Sequence, residues 1–205
     1  MLESKTTGLM SIDFKYIYSY LKKNMSEERY KHSFQVSKVA ENIARHYEIS
    51  TDKAKVLGLI HDCAKDYTII ELRALIKKYN IKMSEIEKNI PGLWHAYVGA
   101  ELARDIFNIK DQEMLDAIRY HSTASEKIGL LGKIIYISDK IEPDRKTEQL
   151  DKVRKLVWHD IDLAMLELLN QGIKRLIDRN LMIHPETLHT RNNIIYEKKD
   201  NLVDE

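Results

Sequence analysis

The sequence predicts an all-α protein that folds as one helical bundle. Apolar residues recur three and four positions apart almost throughout the 205 residues, as on the buried faces of helices. The chain contains only 7 Gly and 3 Pro, which disfavours a turn-rich β architecture. Because this length suits one core and no linker or repeat marks a boundary, we expect a single domain over residues 1–205. Its motif core covers about 26–145, and the C-terminal helix and tail, 146–205, pack on that core, with an irregular tail from residue 184.

The first predicted helix begins after Ser26, a good N-cap residue that is followed by two glutamates. Its apolar face runs through 36–47. Counting backwards by three and four places Arg29 and His32 on the same face. This helix therefore carries two polar side chains towards the core.

Two more helices have legible start signals. Thr51-Asp52 begins the second helix, which carries the pair His61-Asp62. Thr68 and Glu71 form a capping box for the third, and Asn80 closes it. The second helix is the most apolar of the three and is expected to lie in the core.

The middle of the chain predicts two further helices. Pro91-Gly92 breaks the chain before an amphipathic helix over about 93–107, which begins with Trp94-His95. Asp111 then caps a short helix that ends near His121. Each of these helices thus brings one histidine to its end.

The last third predicts three helices. A strongly apolar one covers 128–138 and ends at Asp139; a second runs from about 147 to 158; Asp160 or Asp162 caps a long final one. The inward face of the final helix is predicted at Leu163, Leu166, Leu169, Ile173, Leu176, Ile177 and Leu181.

Charge and composition exclude several classes of function. The 33 basic and 32 acidic residues are mixed along the chain, giving a net charge of +1, so a large nucleic acid is not an expected partner, although a small anion is.

The lone Cys63 is read as a small core residue and fits a reducing compartment. Residues 1–10 lack an apolar signal core, and no run approaches the ~20 apolar residues of a membrane span. We expect a cytoplasmic protein with no membrane contact.

The pair His61-Asp62 closes the apolar run 56–60, which is an unusual end for a core helix. Burying a charge or an unpaired imidazole is costly, so the pair needs a compensating partner, and a metal ion is the obvious one. Chance alone nearly supplies one such pair, and a second occurs at His159-Asp160. There Asp160 is explained as an N-cap, so we interpret that copy as unrelated to metal binding.

Six candidate ligands lie near the ends or on the apolar faces of the predicted helices. They are His32, His61, Asp62, His95, His121 and Asp139. Side chains that project inward from several helices are the usual source of metal centres in helix bundles. Histidine and carboxylate without cysteine suit iron, manganese, cobalt or zinc with open coordination positions. Asp139 supports this, because an acid at a helix C-terminus opposes the helix dipole and favours a nearby cation.

The order His32, His61-Asp62, Asp139 resembles the H…HD…D pattern of the HD-domain metal-dependent phosphohydrolases. Further segments are similar to the YqeK-type subfamily, the symmetrical bis(5′-nucleosyl)-tetraphosphatases. These segments are 59–66, 94–96, 119–123, 135–145 and 184–188 followed by Arg191-Asn192. The resemblance covers about 13–197, and the departures at Cys63 and Ser138 affect no proposed ligand.

The resemblance implies a single HD domain, a helical bundle with the metal site in its core. In it His32, His61, Asp62 and Asp139 hold an iron-type ion. His95 and His121 either ligate a second metal or contact substrate phosphate, so the resemblance implies either one or two metal ions. The implied reaction cuts diadenosine tetraphosphate into two ADP, with a dinucleoside polyphosphate or nucleoside diphosphate as partner. A homodimer is left open.

Other roles follow from position. Arg29 shares the face of His32, Lys65 follows His61 by four residues and is expected one turn on along the same helix face, and Arg145 follows Asp139 by six. All three cations are candidates to bind phosphate. Asp62 and Asp66 are candidates for catalysis, and Asp66 could orient Lys65 or the attacking water. The candidates for substrate binding are Asp62, His95, His121, Ser122, His184 and Thr187.

Two alternatives stay beside this hypothesis. The first keeps the HD chemistry but acts on another nucleotide. The second is a non-catalytic helical module that binds a nucleotide or a protein through the same pocket. Product analysis distinguishes all three.

Overall fold

Helices account for all regular secondary structure in the computed structural model, which describes residues 13–145 and 149–203. They span Phe14–Asn24 (α1), Glu27–His46 (α2), Thr51–Ile60 (α3), Ile69–Lys78 (α4), Glu85–Lys88 (α5), Trp94–Ile106 (α6), Gln112–Tyr120 (α7), Leu130–Ile141 (α8), Gln149–Leu156 (α9), Ile161–Asp178 (α10) and Pro185–Val203 (α11). A 3-10 turn, Pro91–Leu93, leads into α6. The predicted all-α class is confirmed. The expectations for residues 1–10 and for a helix start near 147 lie outside the described residues.

The predicted caps explain where four of the described helices begin. The Ser26 hydroxyl accepts a hydrogen bond from the Arg29 backbone N–H at the start of α2. Thr68 forms the predicted capping box before α4, and Asp111 caps α7. Asp160, not Asp162, caps α10. These caps supply partners for the free N–H groups of the first helical turns, which is why they mark the boundaries well.

The core is built around α2, α3 and α8. Helix α2 packs against α3 and α8, and α7 packs against α6 and α8. Gly58 allows the closest approach, because a Cβ atom there would lie 2.7 Å from the Ser37 backbone nitrogen. Buried residues such as Leu57, Ile134 and Ile137 fill the space between these helices. The contact brings the C-terminal end of α3 into the centre of the bundle.

The end of α8 differs from the prediction. The helix continues to Ile141, so Asp139 lies in its last turn and does not follow it. Its carboxylate still faces the negative end of the helix dipole. Asp139 therefore still favours a nearby cation, and helix geometry fixes the orientation of its side chain.

The C-terminal prediction was wrong in two respects. The tail from 184 is not irregular, because Pro185 begins α11, where proline is favoured at the first helical position, and Ile194 is buried on it. Of the residues predicted to face inward, Leu163 and Ile177 of α10 are 38% and 59% exposed, and Leu181, which lies beyond the end of α10 at Asp178, is 46% exposed. The buried face is narrower and is displaced along the helix. It consists of Ile161, Ala164, Met165, Leu168 and Leu169.

Two smaller expectations concern Cys63 and membranes. Cys63 is buried in the core, and burial raises the pKa of its thiol to about 12, as expected for an unreactive packing residue. Among the helices of 13–145 and 149–203, none combines the length and the apolar character that crossing a bilayer requires.

Candidate metal centre

The four ligands of the predicted H…HD…D pattern lie together in the core, where His32, His61 and Asp139 form one group and His61 also forms a second group with Asp62 and His121. His32 Nε2 lies 3.1 Å from Asp139 Oδ1, although 107 residues separate them in sequence. His61 Nε2 lies 3.8 Å from the same oxygen and 3.7 Å from Asp62 Oδ2. The ligand atoms of His32, His61 and Asp139 are close enough together to hold one ion.

Two helices and one turn supply these side chains. His32 lies within α2 and Asp139 in the last turn of α8. Helix α3 ends at Ile60, so His61 and Asp62 lie in the following turn and not within the helix as expected. Adjacent residues in a helix point about 100° apart. Leaving the helix here allows both side chains to face the centre.

Backbone contacts fix the orientation of His61. Its Nδ1 lies 2.8 Å from the Gly58 carbonyl oxygen, to which it donates a hydrogen bond, so Nε2 presents a lone pair to the centre. In the described part of the chain, His61 Nε2 and Asp62 Oδ1 are buried without a hydrogen-bond partner. Unpaired buried polar atoms are costly, and a cation between them and Asp139 would remove that cost. The donor set therefore fits a divalent metal ion.

A second group of imidazoles surrounds Asp62. His95 Nε2 and His121 Nε2 each lie 3.3 Å from Asp62 Oδ1 and 3.2 Å from one another. His121 Nδ1 donates to the Ile118 carbonyl oxygen at 2.7 Å, which again turns Nε2 inward. Burial lowers the pKa of His95 to about 4, so this ring is neutral at pH 7. His95 and His121 therefore have the chemistry of a second set of metal ligands, and Asp62 would be shared between the two sets.

The two carboxylates are held in the ionised form. Burial alone would raise the pKa of Asp62, but the imidazoles of His61, His121 and His95 around its carboxylate hold the pKa well below its usual range. For Asp139, burial is likewise outweighed by nearby cationic and hydrogen-bonding groups, and its pKa is also well below the usual range. Two ionised carboxylates in a core attract a multivalent cation.

Two arginines stand at the edge of this centre. Arg29 Nη1 lies 2.7 Å from Asp62 Oδ2, and its side chain is 27% exposed. Arg145 donates from Nε to the Asp139 carbonyl oxygen at 3.0 Å and from Nη2 to Asp139 Oδ1 at 3.3 Å. Both side chains contact a candidate ligand and are partly exposed to solvent, as phosphate binding would require.

Lys65 reaches the second group. Its Nζ lies 3.2 Å from His95 Nε2, and the residue is exposed. It does not follow His61 along a helix face as expected, because α3 ends before both residues. The turn nevertheless places its ammonium beside the candidate ligands.

Asp66 and Ser122 occupy different positions in the site. Asp66 accepts a hydrogen bond from the Ser26 backbone N–H at 2.8 Å and lies 4.0 Å from Arg29, so its described contacts are with α2 rather than Lys65. Ser122 Oγ lies 3.1 Å from His121 Nε2, inside the second group.

His184 and Thr187 fasten α11 to the rest of the bundle. Thr187 donates to the Thr123 carbonyl oxygen at 2.7 Å, in the turn that carries His121. His184 Nδ1 accepts from the Glu186 backbone N–H at 3.2 Å, whereas its buried Nε2 has no hydrogen-bond partner among the described residues and lies 3.5 Å from Glu87 Oε1. Both side chains thus have protein partners, and a contact to the nucleoside stays a prediction.

Three charged residues beside the site were not selected from sequence: Lys140, Glu142 and Arg154. Glu142 Oε1 lies 3.5 Å from His32 Nδ1, where it favours a lone pair on Nε2. Arg154 Nη2 donates to the carbonyl oxygens of Glu142 and Arg145 at 3.3 and 2.6 Å, which holds the turn that carries Arg145. The first two belong to a segment with family resemblance, whereas Arg154 had no signal because its partners are backbone atoms.

The second His-Asp pair has no such surroundings. His159 is exposed, and Asp160 accepts from two backbone N–H groups as the N-cap of α10. The interpretation of this pair as unrelated to a metal centre agrees with its position.

A family model described as the HD domain matches residues 29–144, which include all four ligands of the pattern. The chain therefore belongs to the HD-domain family. Within that family it is similar to two proteins named bis(5′-nucleosyl)-tetraphosphatase, symmetrical. The Bacillus subtilis relative is 33% identical, with 84% of this chain and 92% of the relative covered. The Halalkalibacterium halodurans relative is 35% identical, with 87% and 95% covered.

A solved structure supports the same fold. A Clostridium acetobutylicum protein, described as a "predicted HD superfamily hydrolase involved in NAD metabolism", superposes with a TM-score of 0.87 at 34% identity. The superposition covers 90% of this chain and 98% of that one. The resemblance stated from sequence and the HD-type bundle are both confirmed.

Proposed function

We propose that this protein hydrolyses diadenosine tetraphosphate symmetrically to two ADP at the His/Asp centre. The observation that carries the proposal is that the buried atoms His61 Nε2 and Asp62 Oδ1 have no hydrogen-bond partner, although both lie in clusters of metal-ligating side chains inside the matched domain. The substrate is proposed because two relatives covered over more than nine-tenths of their length carry the name of a symmetrical tetraphosphatase.

The proposed metal ligands are His32, His61, Asp62 and Asp139. Iron is the proposed ion, and manganese, cobalt or zinc would suit the same imidazole and carboxylate donors. A bound divalent ion supplies two kinds of chemistry: it lowers the pKa of water to about 7 and neutralises phosphate oxygens. His95 and His121 would complete a second ion site or bind phosphate.

The side chains around the centre would hold the polyphosphate. Arg29 and Arg145 can each bind phosphate oxygens through the guanidinium while keeping their carboxylate contacts. Lys65 adds a point charge on the side of His95. Because phosphoryl transfer depends mainly on positioning and charge neutralisation, these cations would supply what the bridge of the substrate needs. Asp62 would serve in catalysis as well as in metal binding.

The other assignments are proposed on weaker contacts. Ser122 lies within the second imidazole group and would meet phosphate there. Asp66 would act through Arg29, which it faces, and Ser26. His184 and Thr187 would contact the nucleoside only from the edge of the bundle. Cytoplasmic location and a homodimer stay predictions; the lone Cys63 supports the former.

Product analysis tests the proposal. The protein, loaded with Fe²⁺ or Mn²⁺, is incubated with diadenosine tetraphosphate and the nucleotides are separated. We expect ADP as the sole product and no turnover after dialysis against a chelator. ATP plus AMP, or no turnover with either metal, would contradict the proposal. NAD and mononucleotides run in parallel identify another substrate, and bound but intact nucleotide identifies a non-catalytic module.

Replacing Lys65 by methionine is expected to lower kcat/KM on the order of 10-fold to 100-fold. A charge-assisted hydrogen bond contributes about 1.5–3 kcal/mol, and methionine keeps most of the length of the side chain without the charge. Steady-state kinetics check this, together with elemental analysis, which should give wild-type metal content. Lys77→Met, at an exposed position of α4, is the matched control. Unchanged kinetics in the Lys65 variant would remove this residue from the site.

A further inference from the structure

Lys140 lies beside Asp139 in the last turn of α8 and has three protein partners. Its Nζ donates to the His121 carbonyl oxygen at 3.0 Å and to Asp139 Oδ2 at 3.3 Å. It also lies 3.7 Å from the centroid of the Tyr136 ring. The side chain is 23% exposed, so this ammonium is largely enclosed by groups that accept positive charge.

The contact with Asp139 distinguishes the two oxygens of that carboxylate. Oδ2 faces Lys140, whereas Oδ1 lies 3.1 Å from His32 Nε2 and 3.8 Å from His61 Nε2. A carboxylate turns easily about its terminal bond, because that torsion is broad. The hydrogen bond to Oδ2 limits this rotation and keeps Oδ1 directed at the two imidazoles.

The contact with His121 joins two helices. Its carbonyl oxygen lies at the C-terminal end of α7, where the unpaired carbonyl groups attract a cation. The same residue presents Nε2 to Asp62 Oδ1 at 3.3 Å. Lys140 therefore contacts one residue of each ligand group and sets the distance between the ends of α7 and α8.

We propose that Lys140 is a positioning residue of the metal centre. One ammonium holds the Asp139 carboxylate and the His121 backbone so that both ligand groups keep a fixed geometry. This inference rests on the metal site of the proposed function and adds the residue that sets its geometry. Lysine suits the position because its compact ammonium can donate to two oxygens while it lies over the Tyr136 ring. The larger, planar guanidinium of arginine cannot make all three contacts in the same geometry.

Manganese titration tests this inference. Free Mn²⁺ is followed by electron paramagnetic resonance in wild-type protein, Lys140→Met and Lys140→Arg. We expect the methionine variant to bind on the order of 10-fold to 100-fold more weakly, as for the loss of other outer partners of metal ligands, and the arginine variant to fall between, at least about threefold weaker. Lys133→Met is the matched control on α8, because Lys133 pairs with Asp162 instead; it should bind Mn²⁺ as the wild type does.

Each outcome decides a different point. Wild-type affinity in Lys140→Met, even with a lowered melting temperature, would overturn the inference, since a merely structural role predicts that pattern. If Lys140→Met does not unfold cooperatively, Lys140→Arg decides, and wild-type affinity there would also overturn it. Wild-type protein that binds Mn²⁺ but makes no ADP contradicts the proposed substrate and leaves the Lys140 test valid. Wild-type protein that binds no Mn²⁺ contradicts the metal site and this inference together.

Discussion

Asp62→Asn is expected to lower hydrolysis of diadenosine tetraphosphate on the order of 1000-fold or more and to reduce bound metal. Loss of a residue that only hydrogen-bonds to a metal ligand lowers metal affinity or activity about 10-fold to 100-fold. Loss of Asp62, a ligand shared by the two ligand groups, should lower them more. Asparagine keeps the shape of the side chain but removes the charge that faces His95, His121 and Arg29. Activity assays and elemental analysis of the same sample check both effects.

The chain supplies a matched control for this variant. His159→Ala changes the second His-Asp pair, at an exposed position away from the centre, and should retain wild-type activity and metal content. An Asp62→Asn protein that keeps full metal content would remove Asp62 from the ligand set. If it also kept full activity, the proposed site would be wrong.

Gly58→Ala is expected to destabilise the protein by about 2 kcal/mol or more. The new Cβ would lie 2.7 Å from the Ser37 backbone nitrogen and closer still to its Cα, so no side-chain rotation can relieve the clash. Overpacking of this kind costs about 1–3 kcal/mol and occasionally more, which outweighs the helix propensity of about 1 kcal/mol that alanine gains over glycine. Urea unfolding monitored by circular dichroism measures the change.

The same substitution should also affect the site. Separating α2 from α3 moves His32 away from His61, and Gly58 itself accepts the hydrogen bond that orients the His61 ring. We therefore expect weaker metal binding in the folded fraction. Gly172→Ala is the control, because no atom lies within 4 Å of the added Cβ in α10, and it should be neutral or stabilising. A Gly58→Ala protein as stable as wild type would show that the α2–α3 contact is looser than described.

Helix starts were predictable because their signals are local. A serine, threonine or aspartate cap accepts hydrogen bonds from N–H groups two or three residues away. Ser26, Thr68, Asp111 and Asp160 therefore indicate where helices begin without knowledge of the fold. The all-α class follows from such signals and from apolar spacing.

Errors occurred where long-range packing decides the structure. The predicted inward stripe of the final helix included Leu163, Ile177 and Leu181, which are exposed, because spacing alone does not say which part of an apolar face has a neighbour. The tail was read as irregular because α11 has little apolar pattern, and what begins it is Pro185. Neither error touches the ligands of the centre.

The ligand set was predictable, but the groups that orient it were not. His32, His61 and Asp139 belong to a pattern of residue types with its own chemistry, and the structure brings them together. Lys140 and Arg154 act largely through backbone oxygens of distant residues, and a sequence shows no sign of such acceptors. For the same reason the partner of Asp66 could not be predicted: it is the backbone N–H of Ser26.

Anomalous diffraction from a crystal soaked in Mn²⁺ tests the central claim most directly. We predict a peak at coordination distance, about 2.0–2.3 Å, from His32 Nε2, His61 Nε2 and the carboxylates of Asp62 and Asp139. A second peak beside His95 and His121 would favour two ions, whereas a single peak would assign those rings to phosphate. A fully soaked crystal with no peak among the four residues, or with its strongest peak at another cluster, would contradict the claim that they form a metal centre.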